Sequence, residues 1–181
     1  MKNIDKTKRN RERRLGLFYL CFDKRRAIEA IRHLKYDDKT EALLVDGLKY
    51  LDTMNFLVDT LELKRFAGRR GRESYEYLES LSKAQRIVYN LPESKILERH
   101  RMMQEISNNG EPVFLEDLSI SFDDLLDNDI AAGEKAEQII SALITLVHKK
   151  PELNKKKTLL FYARRYAKNP LLPITQKLRR Y

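Results

Sequence analysis

Apolar residues recur along most of this chain at the three- and four-residue spacing that places them on one face of an α-helix. Six stretches carry such a stripe, and they lie at 17–34, 40–64, 73–89, 96–106, 131–148 and 152–168. Glycine and proline, which interrupt helices, are scarce, with six and five copies in 181 residues. The pattern therefore predicts an all-α protein, a bundle of about six helices.

Residues 110–129 differ from the rest of the chain. They contain seven Asp or Glu and no Lys or Arg, so the remaining residues carry a charge of +16 although the net charge is +9. Large apolar residues such as Phe114, Ile120 and Phe122 stand among the acids, whereas disordered segments have few such groups. We therefore predict an ordered, irregular acidic crossover, with a short strand or a helical turn near residues 114–118.

Turn-forming residues divide the chain further. Gly68 and Gly71, two glycines within four residues, predict a helix stop and a flexible loop over residues 66–72. We expect one helical domain over 15–168, preceded by a basic arm over 1–14 and followed by a basic tail over 169–181. The arm either reaches into a nucleic-acid groove, acts as an import signal or is simply solvated.

The excess of positive charge implies attraction to nucleic acid, anionic lipid or an acidic protein. Cys21 is the only cysteine, which excludes an intramolecular disulfide. Between Leu20 and Phe22 it is expected to be a small buried apolar residue. No apolar stretch is long enough to cross a bilayer. We expect an intracellular protein (cytoplasmic, nuclear or viral) with no membrane partner.

The first candidate binding site is a cluster in the predicted loop, made up of Lys64, Arg65, Arg69, Arg70 and Arg72. Guanidinium groups fork onto phosphate oxygens, and a glycine-spaced loop can follow an irregular surface. Tyr75 and Tyr77 lie just beyond the loop and could stack on bases. The alternative is a solvated, mobile loop without a binding role.

The second candidate site lies in the last predicted helix and consists of Lys157, Arg164, Arg165 and Lys168. Their spacing allows them to share one helical face, along which a phosphate backbone could run. Tyr162, Tyr166 and Tyr181 are interleaved with these cations. The alternative is a charged face that only keeps the protein in solution.

Other chemistry is less well supported by the sequence. The acidic crossover either pairs with the chain's own basic residues, binds a basic partner or holds a metal ion, and its carboxylates lack the spacing of a calcium loop. The three histidines lack metal-ligand spacing. His100, between Arg99 and Arg101, could belong to a nuclease-like cluster, although a helix surface is the more common setting for such a run. We expect no cofactor and no metal.

The run LEDLSISFDDLLDND, from Leu115 to Asp129, resembles the acidic linker between late regions of bacterial sigma factors. Such a linker implies a helix-turn-helix beyond it, but Pro170 and Pro173 fall where its helices would be needed. The resemblance covers only this short segment, so no residue role is carried over from it.

The sequence thus favours a non-enzymatic nucleic-acid-binding protein, with RNA preferred to DNA because no groove-reading motif is visible. Two alternatives stay open. The first is a protein-interaction adaptor or regulatory subunit of a nucleic-acid machine, such as a transcription complex. The second is a helical enzyme that acts on nucleic acid through His100 and the neighbouring arginines.

Overall fold

The computed structural model describes residues 10–169. Within this range the chain forms nine α-helices and no strand, which confirms the all-α class. The bounds are α1 Arg11–Tyr19, α2 Lys24–His33, α3 Asp38–Asn55, α4 Thr60–Arg70, α5 Arg72–Tyr89, α6 Ser94–Asn108, α7 Phe122–Asp127, α8 Gly133–Lys149 and α9 Lys156–Lys168. Two 3₁₀ turns, Leu115–Asp117 and Pro151–Leu153, lie in the connections before α7 and before α9.

The number of helices exceeds the prediction because the first two predicted helices are each divided and the acidic crossover contains a short helix, α7. The stretch 17–34 is split between α1 and α2, and the stretch 40–64 between α3 and α4. An aspartate precedes each of the second helices, α2 and α4. Asp23 accepts a hydrogen bond from the amide of Arg26, and Asp59 accepts one from the amide of Leu61. These carboxylates satisfy amide groups that have no partner at a helix start, so each break is stabilised locally.

The flexible loop predicted over residues 66–72 is wrong. Helix α4 continues to Arg70, α5 begins at Arg72, and only Gly71 separates them. Its backbone has φ +82° and ψ 160°, a combination that almost only glycine adopts. A single residue therefore makes the turn for which the sequence suggested a whole loop.

The described residues group into two compact units. The first comprises residues 10–63 and 70–104, and the second comprises residues 64–69 and 105–169. The predicted single domain over 15–168 stays a prediction. Most of the predicted arm and tail lies outside the described residues, and residues 11–14 of the arm form the first turn of α1.

In the first unit, α1, α3 and α5 pack against one another. Two hydrogen bonds join α3 and α5: Ser74 donates to Asp46, and further along both helices Ser82 donates to Asn55. The two helices therefore run in the same direction. Helix α2 packs on α3, and this side of the core is closed by Tyr19, Ala27, Ile31, Leu44, Val45 and Leu48.

In the second unit, α8 forms the centre and is covered by α7, α9 and both 3₁₀ turns. Leu118, Ile120 and Leu125 of the acidic crossover are buried in this core. The crossover (residues 110–129) is thus ordered, and a helical turn rather than a strand lies near Phe114. Its buried apolar residues pack on α8, whereas four of its acidic residues are exposed: Glu116, Asp123, Asp127 and Asp129.

A close contact in the second unit joins α4, α8 and the start of the crossover. His148 is buried, and its Nε2 lies 2.8 Å from the carbonyl oxygen of Val113, to which it donates. Gly68 packs against the same pair, and a Cβ there would lie 2.5 Å from that oxygen. Glycine at position 68 therefore allows α4 to approach the crossover rather than ending a helix.

Candidate nucleic-acid interface

Helix α9 carries an exposed basic face. The side chains of Lys157, Arg164, Arg165 and Lys168, which we call the α9 face, are all exposed. At 3.6 residues per turn they lie within about 100° of the helix circumference. The opposite side of α9 packs on α8 through Leu159 and Ala163, which are fully buried. The second sequence-predicted cluster is therefore brought together on one surface by a single helix.

Two of these four cations have no internal partner. Within residues 10–169, the side chains of Lys157 and Lys168 make no hydrogen bond and no ion pair. Arg164 donates from Nη2 to Asn128 Oδ1 at 3.2 Å, and the Arg165 guanidinium lies 5.8 Å from the centre of the Phe161 ring. The face therefore retains charge that could be neutralised by an external anion.

Phe161 lies in the middle of the α9 face with 56% of its surface exposed. Sequence reasoning missed it, because only tyrosines were considered among the aromatic residues that are interleaved with these cations. The signal that identifies it was present: the positions one turn before, one turn after and two turns after it are Lys157, Arg164, Arg165 and Lys168. A core residue would have apolar neighbours at these spacings.

The start of α9 adds further positive charge. Lys155, Lys156 and Lys157 follow one another, and no acidic residue stands in the first turn. Cations are disfavoured at this end of a helix because the peptide dipoles place positive charge there. Only Lys156 is compensated, by an ion pair with Asp124 that lowers the pKa of this carboxyl, with additional help from the Ser121 amide. Cations at a helix start reduce helix stability, and such exceptions are found mainly at functional surfaces.

The acidic crossover contacts α9 at two points, Asp124 with Lys156 and Asn128 with Arg164. These contacts agree with one of the three roles considered for the crossover, which is pairing with basic residues of the same chain. Of the seven carboxylates of the crossover, only that of Asp124 forms an ion pair with a described lysine of α9. Two others, Glu111 and Asp117, make contacts elsewhere in the second unit.

The structure places the other predicted cluster, residues 64–72, in a different kind of environment. Lys64 is 4% exposed, and its Nζ lies 2.5 Å from Glu111 Oε2. This ion pair lowers the pKa of the Glu111 carboxyl, and a hydrogen bond from Asn109 adds to the effect. Lys64 thus has a structural partner within the second unit.

The arginines of the same cluster also make internal contacts. Arg69 donates from Nε to the carbonyl oxygen of Arg65, and the Arg70 guanidinium lies 4.1 Å from the centre of the Tyr50 ring. Arg72 is exposed at the start of α5. Arg65 and Arg69 belong to the second unit, whereas Arg70 and Arg72 belong to the first. The cluster is therefore not one mobile loop, and its role in binding stays a prediction.

The proposal that Tyr75 and Tyr77 stack on bases is wrong for the structure described. Both rings are buried, with 6% and 7% exposed. Tyr75 donates to Glu79, and Tyr77 donates to the carbonyl oxygen of Glu12. Burial is the main reason why the pKa of each phenol is raised. These two tyrosines belong to the core because α5 starts directly after Gly71 and turns them inward.

Cys21 is exposed, which corrects the expectation of a buried residue. Helix α1 ends at Tyr19, so Cys21 lies in the connection to α2 and leaves the apolar stripe. Its sulfur lies 3.4 Å from the hydroxyl of Tyr89, which is also exposed.

The cluster around His100 does not converge. Arg99 is fully buried and donates to Glu79 Oε1 at 2.9 Å and to Ser82 Oγ at 3.2 Å, whereas His100 is exposed on the surface of α6. The apolar periodicity assigns Leu97 and His100 to the buried stripe of this helix, and both are exposed. Arg99 can take the buried position because Glu79 compensates its charge and two of its three nitrogens, Nε and Nη2, donate to Glu79 and Ser82.

An open groove lies along the acidic crossover. It has a volume of about 600 Å³. Buried Leu118, Ile120 and Ile140 line it, and Leu115 and Phe122 beside them are more than 40% exposed. Glu116 and Asp124 also line the groove. Its surface is therefore apolar with acidic groups.

Metal clusters and membrane-spanning helices are both absent from the described part of the chain. From residue 10 to residue 169, no group of three or more His, Cys, Asp or Glu side chains is placed to hold a metal ion. In the same range, no helix has both the length and the apolar character needed to cross a membrane. No protein-family model, curated protein or solved structure matches the chain.

Proposed function

We propose that the protein binds nucleic acid, RNA in preference to DNA, through the α9 face. The observation that carries this proposal is the grouping of four exposed cations on one helix face, two of them without any partner between residues 10 and 169. Lysine and arginine side chains that neutralise phosphates release counterions, and this release supplies most of the affinity for a nucleic acid. The role proposed for Lys157, Arg164, Arg165 and Lys168 is to hold phosphates.

The test replaces all four residues of the α9 face with glutamine in the full-length chain. Binding of a fluorescein-labelled 12-nucleotide RNA is measured by anisotropy at several salt concentrations. We expect affinity to fall by about tenfold or more. The slope of log affinity against log salt should decrease by about 0.7 for each phosphate that the variant no longer neutralises.

A matched control removes the same charge elsewhere, at four exposed cations of the first unit: Arg26, Arg32, Lys49 and Lys83. This control variant should keep both the affinity and the salt slope of the unaltered chain. Equal losses in the two variants would mean that only net charge matters, and the proposal would then be wrong. Unaltered binding by the α9-face variant would also contradict it.

The cluster at 64–72 can be tested in the same assay. Glutamine at Arg65, Arg69, Arg70 and Arg72 should weaken binding if these arginines also hold phosphates. An unchanged affinity across the salt series would remove the cluster from consideration. Lys64 is left out of this variant, because its ion pair with Glu111 is buried.

A second candidate function is that of a protein-interaction adaptor. The groove along the acidic crossover favours it, because exposed Leu115 and Phe122 adjoin the carboxylate of Glu116. Such a surface suits a partner segment with apolar side chains next to lysine or arginine. Purification from the native host after nuclease treatment should then retain a stoichiometric protein, and the double variant Leu115→Ser, Phe122→Ser should lose it. Retention by the variant would contradict this role.

A further inference from the structure

We propose that Phe161 is a stacking platform and that α9 therefore binds unpaired nucleotides in preference to duplexes. This inference rests on the proposed function, since it assumes that the α9 face holds the phosphates. It adds the kind of nucleic acid and a residue that contacts the base rather than the backbone.

The packing of α9 does not account for Phe161. The helix is held on α8 by Leu159 and Ala163, on the opposite side. Phe161 is more than half exposed, and the ring contacts described for it are those with Tyr162 and Arg165 on its own helix. A large apolar side chain exposed in this way gains stability only when another surface covers it.

The neighbours of the ring leave room for a base. Tyr162 meets it edge-on, with ring centres 5.6 Å apart and planes at 77°. The Arg165 guanidinium lies 5.8 Å from its centre. An edge-on neighbour leaves ring surface open, and a base that stacks on the ring would also be close to the cation.

Only an unpaired base can present its flat face to the Phe161 ring. In a duplex the faces of the bases are covered by their neighbours, so a side chain meets only backbone and base edges. Unpaired bases expose a face, and an aromatic ring surrounded by cations is the usual way to hold them. Lys157 lies one turn before Phe161 and Arg164 one turn after it, so phosphates on both sides of a stacked base would find a cation.

The experiment compares Phe161→Ala, Phe161→Leu and Phe161→Tyr in the full-length chain. The probes are a fluorescein-labelled 12-nucleotide single-stranded RNA, its duplex and the corresponding DNA strand. We expect Phe161→Ala and Phe161→Leu to weaken single-strand binding about tenfold, and Phe161→Tyr to retain it. The salt slope and the duplex affinity should stay unchanged, because every cation of the α9 face is retained.

A direct readout is available because the chain contains no tryptophan. In Phe161→Trp the indole would be the only such fluorophore, and a base stacked on it should quench its emission. We expect saturable quenching by the single-stranded RNA and little quenching by the duplex at equal occupancy.

The two proposals fail in different ways. If the α9-face variant loses binding and Phe161→Ala does not, only the stacking role is wrong. If Phe161→Leu binds as well as the unaltered chain, or if duplex and single strand weaken equally, the ring acts as general apolar surface and the inference is overturned. If the α9-face variant binds normally, the proposed function itself fails. Unfolding midpoints of all variants should match, because Phe161 is exposed.

Discussion

The two basic clusters of this protein are similar in composition and differ in their surroundings. The cluster at 64–72 spans the turn between α4 and α5, and Lys64, Arg69 and Arg70 each have a partner within the fold. The cluster on α9 faces outward, and Lys157 and Lys168 have no partner among the described residues. The number of lysines and arginines in a segment does not distinguish these cases.

The difference comes from what stands opposite each cation. Glu111 reaches Lys64 because the start of the acidic crossover packs on α4, and Tyr50 reaches Arg70 from α3. On the α9 face the residues one turn away are other cations and Phe161. Internal partners make the first cluster a contributor to stability, whereas the second retains unsatisfied charge. Substitutions in the two clusters should therefore differ in their effect on unfolding.

The largest expected effect is on stability, at Lys64. Replacement by alanine leaves the Glu111 carboxylate without the cation that lowers its pKa, and loss of one partner of a buried pair costs about 3 kcal/mol. Lys157→Ala is the matched control on α9 and should cost less than about 0.5 kcal/mol. Urea unfolding of both variants gives the comparison, and equal costs would remove the distinction between the clusters.

A smaller loss is expected at Gly68, within the same cluster. A Cβ there would lie 2.5 Å from the Val113 carbonyl oxygen and 2.8 Å from His148 Cε1. Overpacking of this kind costs about 1–3 kcal/mol, and the higher helix propensity of alanine offsets about 1 kcal/mol of this cost. Gly68→Ala should therefore lower the free energy of unfolding. A more stable variant would show that α4 does not pack closely against His148.

The pH dependence of stability should reveal the same contact. Burial lowers the pKa of His148, and the charges of Lys64, Arg65 and Arg69 lower it further, while the Val113 carbonyl acts in the opposite direction. Below the unfolded-state value of about 6.5, the unfolded chain binds a proton that the folded chain does not. Stability is therefore fully present above pH 6.5 and falls as the pH decreases, until the folded-state pKa is reached.

Between pH 7.5 and 5.5 this histidine should lower the stability that is measured by urea unfolding. His148→Gln removes the titrating group and keeps a donor for Val113, so its stability should vary less over this interval. Parallel pH profiles for the variant and the unaltered chain would exclude the mechanism.

The smallest effect is expected at Arg70. Its guanidinium over the Tyr50 ring is half-buried, and such a contact contributes about 0.5–1 kcal/mol. Arg70→Ala and Tyr50→Leu should each lose about this amount, and the double variant should lose less than their sum. Additive losses would mean that the two groups do not interact.

The class of fold and most helices could be predicted from apolar periodicity, and the breaks within them could not. Val58 and Leu61 continue the apolar stripe of α3, so periodicity alone predicts one helix where the chain forms two. The information lay in Asp23 and Asp59, whose carboxylates accept amide hydrogen bonds at the second starts. A search for capping residues within each long stripe would have found both positions.

The candidate site was also predictable only in part. The cations of α9 follow from helical spacing, and Phe161 follows from their spacing around it, once an aromatic residue is allowed to face solvent. Arg99 is the opposite case: no pattern of apolar residues predicts that an arginine fills the buried position of α6. Its partners Glu79 and Ser82 lie on another helix, and only the folded chain brings them near.

The turn at Gly71 has a consequence for handedness. Its backbone, with φ +82° and ψ 160°, is the mirror image of an extended conformation that L-residues adopt readily. No atom lies within 4 Å of the position that a Cβ would occupy. The obstacle to substitution is therefore the chirality of the backbone rather than space. A chain assembled by ligation with D-alanine at this position should fold at least as stably as the natural one, whereas L-alanine should be destabilising.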